Sequence, residues 1–315
     1  MGKKYDVVTI GDVCVDIMIS GGDVEPEFNQ KEKVIGNYVV DMGGSCTIFA
    51  CQTAKLGLKT VVIGTAGCDI FGKLVIERLK EAGVDTRYIF EREDIKTGIG
   101  IALCKDRDRA ILTYIGSIDA LEFKDVPLEV ISQAKHMHIG SYYLMNKIRP
   151  HFPELLNFAK QQGVSVSLDT NWDPNEKWTG EIENILQYVD VFFPNENELC
   201  AIMQEQNTEK ALKKACEIIP LTIVKLGNEG SMFVDGGVIK RVKVIDVDVV
   251  DTVGAGDAFD AGFLYGWLNG MPVERCVELG NLCGSLSTTK GGGIQGQLWL
   301  HDLKRIFQDV YQKPM

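Results

Sequence analysis

Short apolar runs alternate with amphipathic segments along most of this chain. The apolar runs end in glycine or in a polar turn, which is typical of buried strands in a parallel sheet. These runs are YDVVTIG, TVVIGTAG, HMHIG, VSVSLDTN, VDVFFPN and LTIVKLG. Between them, apolar residues recur at helical spacing. The helical segments are residues 45–57, 71–83, 152–162, 180–188, 196–204 and 208–217. The alternation predicts a doubly wound α/β sheet.

Two strand-like segments, residues 34–42 and 97–115, break this alternation of strands and helices. The second predicts a hairpin that turns at KDRDR, residues 105–109. We therefore expect a small β-sheet that covers one end of the main sheet like a lid, drawn from about residues 12–42 and 97–116. The length of 315 residues fits a single α/β domain, residues 1–315, with the lid as an appended element.

Composition limits the classes of function. The chain is 45% hydrophobic and 24% charged, and its formal net charge is −11. No basic cluster suits a nucleic-acid backbone or an anionic membrane, and no apolar run is long enough for a transmembrane helix. Nine cysteines without a C-x-x-C pair indicate reduced, buried thiols and argue against a zinc site. We expect a soluble cytoplasmic protein that binds neither nucleic acid nor membrane.

The segment GCDIFGKL, residues 67–74, differs from the phosphate-binding P-loop pattern only at its last position. There Leu74 replaces the hydroxyl residue that would bind magnesium. Lys73 lies in the first turn of an amphipathic helix, so we interpret Lys73 as a solvated residue and Leu74 as core. The chain also lacks a G-x-G-x-x-G after its first strand and a G-x-S-x-G motif, which excludes a Rossmann dehydrogenase and a serine hydrolase.

The most informative stretch is VIDVDVVDTVGAGDAFDAGFLYGWLNG, residues 244–270. It leads through a glycine turn into a helix that is apolar on all sides and is therefore buried. Small residues in its first turn, Gly254, Ala255 and Gly256, would let backbone amides approach an anion such as a transferring phosphoryl group. Asp257 beside them could take the proton of an attacking hydroxyl. The alternative is that Asp257 only caps a buried helix.

The motif DTVGAGDAF resembles the signature of the ribokinase-like (PfkB) carbohydrate kinases, and other motifs of that family follow its order along nearly the whole chain. GDVCVD resembles the N-terminal substrate segment, which implies substrate contacts from Asp12 and Asp16. DMGGSCTIFACQTAKLG resembles the first glycine signature, which implies that Gly43 and Gly44 lie against the substrate. The family's fold is a Rossmann-like sheet with a β-sheet lid, in agreement with the pattern above.

The resemblance also implies a nucleotide site. FPNENE matches the family's N-x-x-E motif, so Asn195 and Glu198 are expected near the phosphates and a hydrated Mg²⁺. KLGNEG resembles a strand-end loop beside the nucleotide. Together the motifs imply nucleotide contacts from five residues: Asn195, Lys225, Gly227, Gly230 and Asn281. Asp251 and the backbone of Val253 occupy positions that help hold a monovalent cation such as K⁺. The alternative is that Asp251 only ends a strand in a turn.

Two positions depart from the family pattern. Ile48 stands in the first glycine signature, four residues after its second glycine, where the family usually has an asparagine that bonds a sugar hydroxyl. An isoleucine side chain can neither donate nor accept a hydrogen bond. Asp173 stands where fructokinase-like and ketodeoxygluconate kinase-like members usually carry an arginine suited to acidic substrates. These departures favour a neutral sugar or a nucleoside as the substrate.

The resemblance implies an ATP- and Mg²⁺-dependent kinase that transfers the γ-phosphate to a hydroxymethyl group of a sugar-like substrate. A nucleoside kinase is an alternative, because Ile48, Tyr142 and Tyr143 could face a base. A catalytically inactive sensor of sugar or nucleotide is another. We also expect a homodimer through the lid, since alternate residues would otherwise expose an apolar face. The candidates for that face are Ile99, Ile101 and Leu103, or Ile111 and Thr113.

Overall fold

The computed structural model describes residues 2–105, 108–313 and 315, and strands and helices alternate along it. The strands are β1 Tyr5–Ile10, β2 Cys14–Ser20, β3 Asn37–Gly43, β4 Thr60–Gly67, β5 Asp85–Arg92, β6 Gly98–Lys105, β7 Asp108–Tyr114, β8 Ala134–Ile139, β9 Ser165–Leu168, β10 Val191–Phe192, β11 Leu221–Thr222, β12 Val224–Lys225, β13 Ser231–Asp235 and β14 Val238–Val242. The helices are α1 Ser45–Lys55, α2 Ile70–Glu81, α3 Leu128–Ser132, α4 Phe152–Gln161, α5 Glu183–Leu186, α6 Glu196–Met203, α7 Thr208–Ala215, α8 Ala255–Leu268, α9 Val273–Ser287 and α10 Leu300–Tyr311.

Seven strands form an all-parallel sheet in the order β11-β10-β9-β8-β1-β4-β5. Helices cover both faces, because alternate residues of β1 enter different cores. Val8 and Ile10 pack with residues of α4, α6 and α7, whereas Val7 packs with residues of α1 and α8. The predicted doubly wound α/β sheet is confirmed. The strand order reverses between β1 and β8, and such sheets bind ligands at the carboxyl ends of the strands at this point.

The predicted small sheet is also present, with four strands in the order β3-β2-β6-β7. Strands β2 and β6 run parallel, and the other two pairs are antiparallel. Asp16 on β2 pairs with Asp41 on β3 and with Gly100 on β6, so one face of this lid carries the Asp16 carboxyl group. The predicted hairpin joins β6 to β7, and two residues of its turn, 106 and 107, lie outside the described residues.

A third sheet was not predicted. It is antiparallel, in the order β12-β13-β14. The run LTIVKLG, which reads as one strand, divides at Ile223 between the main sheet and this one. A short apolar run does not reveal such a change of sheet, because both halves are buried. The division places Lys225 at the start of the loop Gly227–Glu229, beside Asn195.

The P-loop-like segment is part of the scaffold. The Asp69 carboxylate caps α2 by accepting from the amides of Phe71 and Gly72, and the Thr97 hydroxyl accepts from the amide of Gly67. The amides that would hold a phosphate in a P-loop are therefore bonded within the protein. This supports the interpretation from sequence that phosphate binds elsewhere.

The nine cysteines have free thiols, and five of them are buried. Among the described residues no three His, Cys, Asp or Glu side chains form a metal-binding group. Over the same residues no helix is both long and apolar enough to cross a membrane.

Candidate active site

The loop before α8 has the geometry of an anion site. Gly254 has φ +73°, and a Cβ there would lie 2.9 Å from the Cα of Gly293 and 3.0 Å from a methyl group of Ile48. Only glycine adopts this positive φ without strain and also fits the space beside Gly293 and Ile48. Because Gly254 is also the N-cap of α8, no side chain of the cap covers the amides of the first turn. These amides can bind an anion.

Asp257 lies in that first turn and accepts a hydrogen bond from the hydroxyl of Ser45, the first residue of α1. Burial, together with the charge of Asp169, raises the pKa of Asp257 to about 7. A carboxyl group with this pKa both takes up and releases protons near neutral pH. Ser45 was not recognised from the sequence, although it directly follows the Gly-Gly pair of the glycine signature.

Asp12 lies at the strand-order reversal, directly after β1. Its carboxylate accepts from the amides of Ser45 and Cys46 at 2.9 and 3.0 Å and from the hydroxyl of Ser141 at 2.7 Å. Both oxygens are thus bonded within the protein, and they join the start of α1 to the end of β8. This arrangement favours a structural role over the predicted substrate contact.

Asp16 occupies the lid face that looks towards the site. A Cβ on Gly43 would lie 2.2 Å from its carboxyl carbon, and one on Gly100 would lie 2.5 Å from a carboxyl oxygen. The neighbouring strands therefore need glycine beside this group. Burial and the charge of Asp12 raise the pKa of Asp16 to about 7. Asp16 remains the best candidate to bind acceptor hydroxyl groups.

The lid also contacts the anion loop, which comprises residues 251–254 before α8 and the first turn of that helix. Arg109, on β7, donates to the hydroxyl of Thr252 at 2.8 Å, two residues before Gly254. The preceding residue of the loop, Asp251, accepts from the amides of Val253 and Gly292, each at 2.9 Å. These bonds account for Asp251 as a turn residue. They do not test the monovalent-cation site, which stays a prediction.

Ile48 does not line an open pocket. Its side chain is 2% exposed and fills the space between Gly254 and Gly293, while its carbonyl accepts from the Gln297 amide at 2.8 Å. The prediction that Ile48 contacts the substrate is therefore not supported: the apolar side chain supports the anion loop from behind. Gly44 beside it has φ +86° and lies against the Asp12 carbonyl.

Tyr142 and Tyr143 are both buried in the core around α4, so the expectation that they face a base is wrong. The Tyr143 hydroxyl donates to the carbonyl of Trp178 at 2.8 Å. Asp173 is likewise buried. Its carboxylate accepts from three amides of the same turn, those of Asn175, Lys177 and Trp178. Asp173 therefore holds the loop after β9.

The predicted magnesium residues form a capping box at the start of α6. The Asn195 side chain accepts from the amide of Glu198, and the Glu198 carboxylate accepts from the amide of Asn195, each at 2.9 Å. Burial and the charge of Asp169 raise the pKa of Glu198 to about 7. A divalent cation would stabilise the ionised carboxylate, and oxygen ligands suit Mg²⁺.

Lys225 belongs to a buried cluster of charges that the sequence did not reveal. Its Nζ lies 2.6 Å from Oδ2 of Asp169 and 3.5 Å from Oδ1 of Asp260. Burial alone would lower the pKa of Lys225, but the two carboxyl groups and Glu198 raise it. The lysine is therefore charged at neutral pH. The sequence signals were Asp169 at the end of β9 and Asp260 as a polar break in the apolar helix α8.

The remaining nucleotide candidates divide into two groups. Gly227 and Gly230 have φ +58° and +95° and shape the loop between β12 and β13, and their contact with a nucleotide stays a prediction. Asn281 is buried on α9, and its amide donates to the carbonyl of Val242 at 3.0 Å and accepts from the Ser231 hydroxyl at 3.2 Å. These contacts favour a structural role for Asn281 over the predicted nucleotide contact.

Known proteins resemble this chain over nearly its whole length. Residues 4–299 match the pfkB family of carbohydrate kinases. An uncharacterised sugar kinase of Archaeoglobus fulgidus is 31% identical over 249 residues, which cover 77% of this chain and 96% of the relative. Adenosine kinase from Sinorhizobium meliloti has a TM-score of 0.86 and 26% identity, with 96% of this chain and 99% of that chain covered.

A candidate ribokinase II from Escherichia coli, solved in complex with ATP and Mg²⁺, has a TM-score of 0.85 and 26% identity, with 97% of this chain and 99% of that chain covered. The match to the family extends from β1 to the start of α10 and includes the anion loop, the capping box and the lid. This protein therefore belongs to the pfkB family and is a carbohydrate kinase.

Proposed function

We propose that this kinase transfers the γ-phosphate of ATP to a hydroxymethyl group of a neutral sugar or sugar-like substrate, with Asp257 as the general base. The observation that carries the proposal is the hydrogen bond from the Ser45 hydroxyl to the Asp257 carboxylate beside the first turn of α8. A hydroxyl group already occupies the position in which a base would receive an attacking alcohol. The hydroxyl of the acceptor takes over this position when it binds.

In the proposed reaction the acceptor hydroxyl gives its proton to Asp257 while its oxygen forms a bond to the γ-phosphorus. The bond from that phosphorus to the oxygen that bridges to the β-phosphate breaks, and ADP leaves. The amides at Gly254, Ala255 and Gly256 stabilise the charge on the transferring group. Asp257 then releases the proton to solvent, which a pKa of about 7 permits near neutral pH.

Magnesium bound with ATP would neutralise part of the phosphate charge. Asn195 and Glu198 would hold the hydrated ion through water, since a cation there would stabilise the ionised form of Glu198, whose pKa is raised by burial and by the charge of Asp169. Gly227 and Gly230 would let the nucleotide lie against the backbone. A monovalent cation such as K⁺ beside Asp251 is part of the same proposal. Turnover in potassium chloride compared with choline chloride tests that ion.

The charges around the acceptor position support a neutral substrate. Three acidic neighbours of Asp16 raise its pKa, Asp12, Asp251 and Asp41, against one basic neighbour, Arg109, that lowers it. This excess of acidic groups would disfavour an acidic or phosphorylated acceptor. Asp173 adds no positive charge where some relatives have arginine. The test is an ATP-consumption screen over hexoses, pentoses, ketodeoxy acids, phosphosugars and nucleosides, with Asp257→Asn as the blank. A preference for phosphosugars or acids would contradict the substrate class.

A nucleoside kinase remains the second candidate, supported by the similarity to adenosine kinase. An aromatic side chain is available for a base at the end of β9, where Trp172 is half exposed next to Asn171. Nucleosides in the same screen decide between the two candidates. An inactive sensor would give no ATP consumption with any acceptor, although it would still bind nucleotide.

We also propose a homodimer through the lid. The register places Ile101 opposite Ile17 and Leu112, and Leu103 opposite Ile19, so these side chains share one face. Further apolar members of that face are Tyr38, Val40, Ile99 and Tyr114. Tyr38 is 66% and Leu112 is 59% exposed in the single chain. A twofold partner would bury this face. Ile111 and Thr113 lie on the opposite face, with Asp16.

A further inference from the structure

The ammonium group of Lys225 lies against the anion loop. A Cβ on Gly256 would be 3.1 Å from Nζ, so the charge sits beside the backbone of the first turn of α8, one residue before Asp257. The side chain is 15% exposed. Lys225 therefore reaches the crevice where the carboxyl ends of the strands meet α8, although most of its length is buried.

Two buried carboxyl groups hold this ammonium group in place. Asp169 bonds it at 2.6 Å from the end of β9, and Asp260 approaches it to 3.5 Å from one turn further along α8 than Asp257. An ammonium group has three N–H donors. Asp169 takes one and Asp260 takes another, which leaves one donor for a further acceptor.

The two carboxyl groups respond differently to this environment. Burial raises the pKa of Asp260 well above its ordinary value, whereas the pKa of Asp169 is lowered, because the charge of Lys225 and the hydrogen bonds to the Asp169 carboxylate together offset burial. These shifts favour a single ion pair, Asp169 with Lys225, over a lysine between two ionised carboxylates.

Stability alone does not account for this arrangement. A buried ion pair typically adds little to stability compared with apolar residues of the same volume. Binding of ATP does not account for it either, since a mobile lysine side chain could also contact a phosphate of bound ATP. A fixed charge is most effective on charge that develops during reaction, because it needs no reorganisation at that moment.

We propose that Lys225 is a catalytic residue whose remaining N–H bonds an oxygen of the γ-phosphoryl group during its transfer, while Asp169 and Asp260 position the ammonium group. The inference rests on the proposed function and adds no new step to it. The acceptor oxygen still bonds to phosphorus, the bond to the bridging oxygen breaks, and Asp257 takes the proton. Lys225 keeps its proton throughout.

The experiment compares Lys225→Met and Lys225→Arg with Lys240→Met. Lys240 is a matched control on the edge strand β14, where the partly exposed lysine pairs with two carboxylates, those of Asp235 and Glu274. Turnover is measured with the best acceptor of the screen. Calorimetry gives the affinities for a non-hydrolysable ATP analogue and for ADP with magnesium and aluminium fluoride, which mimics the transferring phosphoryl group. Circular dichroism and thermal unfolding establish that each variant is folded.

We expect Lys225→Met to lower kcat by about 10²- to 10³-fold, the usual effect of removing one transition-state donor. The affinity for the aluminium fluoride complex should fall in parallel. The affinity for the ATP analogue should stay within about threefold, because the contact forms in the transition state. Lys225→Arg, which keeps the charge, should recover part of kcat, and Lys240→Met should equal the wild type.

Equal losses of affinity for the ATP analogue and for the aluminium fluoride complex would overturn the inference, since they indicate a contact with the nucleotide alone. So would wild-type turnover in Lys225→Met. If Lys225→Met does not fold, a double variant with Asp169→Asn removes the unpaired carboxylate, and the same comparison applies. Full activity of Asp257→Asn would instead reject the proposed function itself, whatever the Lys225 variants do.

Discussion

The Asp257 carboxyl group should destabilise the folded protein at the pH at which it works. Burial raises its pKa from 3.8 to about 7, and at 1.36 kcal/mol per pKa unit this corresponds to about 4 kcal/mol when the group is ionised. Because the carboxyl group is partly exposed, water reduces this figure, which is therefore an upper limit. Asparagine cannot ionise, so Asp257→Asn removes the destabilisation.

The pH dependence follows from the direction of the pKa shift. Below about pH 4 the carboxyl group is protonated in the folded and the unfolded states, and its contribution to stability is fully present. That contribution is lost as the pH rises to about 7, where the folded-state group ionises. Asp257→Asn should match the wild type at pH 4, exceed it increasingly up to pH 7, and keep a constant advantage above that pH.

The assay is thermal unfolding of wild type and Asp257→Asn at pH 4.5, 6 and 8, together with kcat at pH 8. At pH 8 we expect a midpoint of thermal unfolding several degrees higher, on the order of 2 °C per kcal/mol for a chain of this size. We expect kcat to be at least about 10²-fold lower. Asp309→Asn, at an exposed position of α10, is the matched control. The reasoning would be refuted if the difference in stability between wild type and Asp257→Asn did not change with pH, or if the variant were less stable than wild type at pH 8.

Three further predictions can be tested on the same protein. Since burial raises the pKa of Asp257 to about 7, kcat/KM should rise with pH up to about 7 and then level off, and a flat profile from pH 5 to 8 would exclude it as the base. Glu198→Gln should raise the magnesium concentration needed for half-maximal activity, whereas an unchanged titration would remove Glu198 from the metal site and leave it only its cap of α6. Ile101→Asp or Leu103→Asp should dissociate the dimer or raise KM for the sugar more than for ATP. A monomeric wild type in light scattering, with unaltered kinetics in both variants, would rule out both roles of the lid.

The order of strands and helices could be predicted because each buried element carries its own periodic pattern. The apolar helix after Gly254 and the strand-like segments of the lid were recognisable from local residues alone. The third sheet was not, because Leu221–Thr222 and Val224–Lys225 form one apolar run and differ only in their partners. Periodicity identifies the buried face of a strand but does not identify the strands that pair with it.

Features of the candidate site that are set by local backbone geometry could be predicted from the sequence. Contacts between residues far apart in the sequence could not. The glycine of the anion loop could be read from its motif, since a positive φ and a close contact both exclude other residues. Asn281 and Ile48 occupy positions singled out by the family resemblance, yet the Asn281 amide bonds the Val242 carbonyl and the Ile48 side chain packs against Gly254 and Gly293. The bond from Ser45 to Asp257 joins residues 212 positions apart, and no local pattern encodes it.

Under the proposed function, the bond between Arg109 of the lid and Thr252 bears on the timing of each turnover. It joins the proposed cover of the acceptor site to the loop proposed to receive the phosphoryl group, at 2.8 Å. A lid that opens to release product must break this bond. Opening of the lid would then remove a restraint from the phosphate loop in the same step.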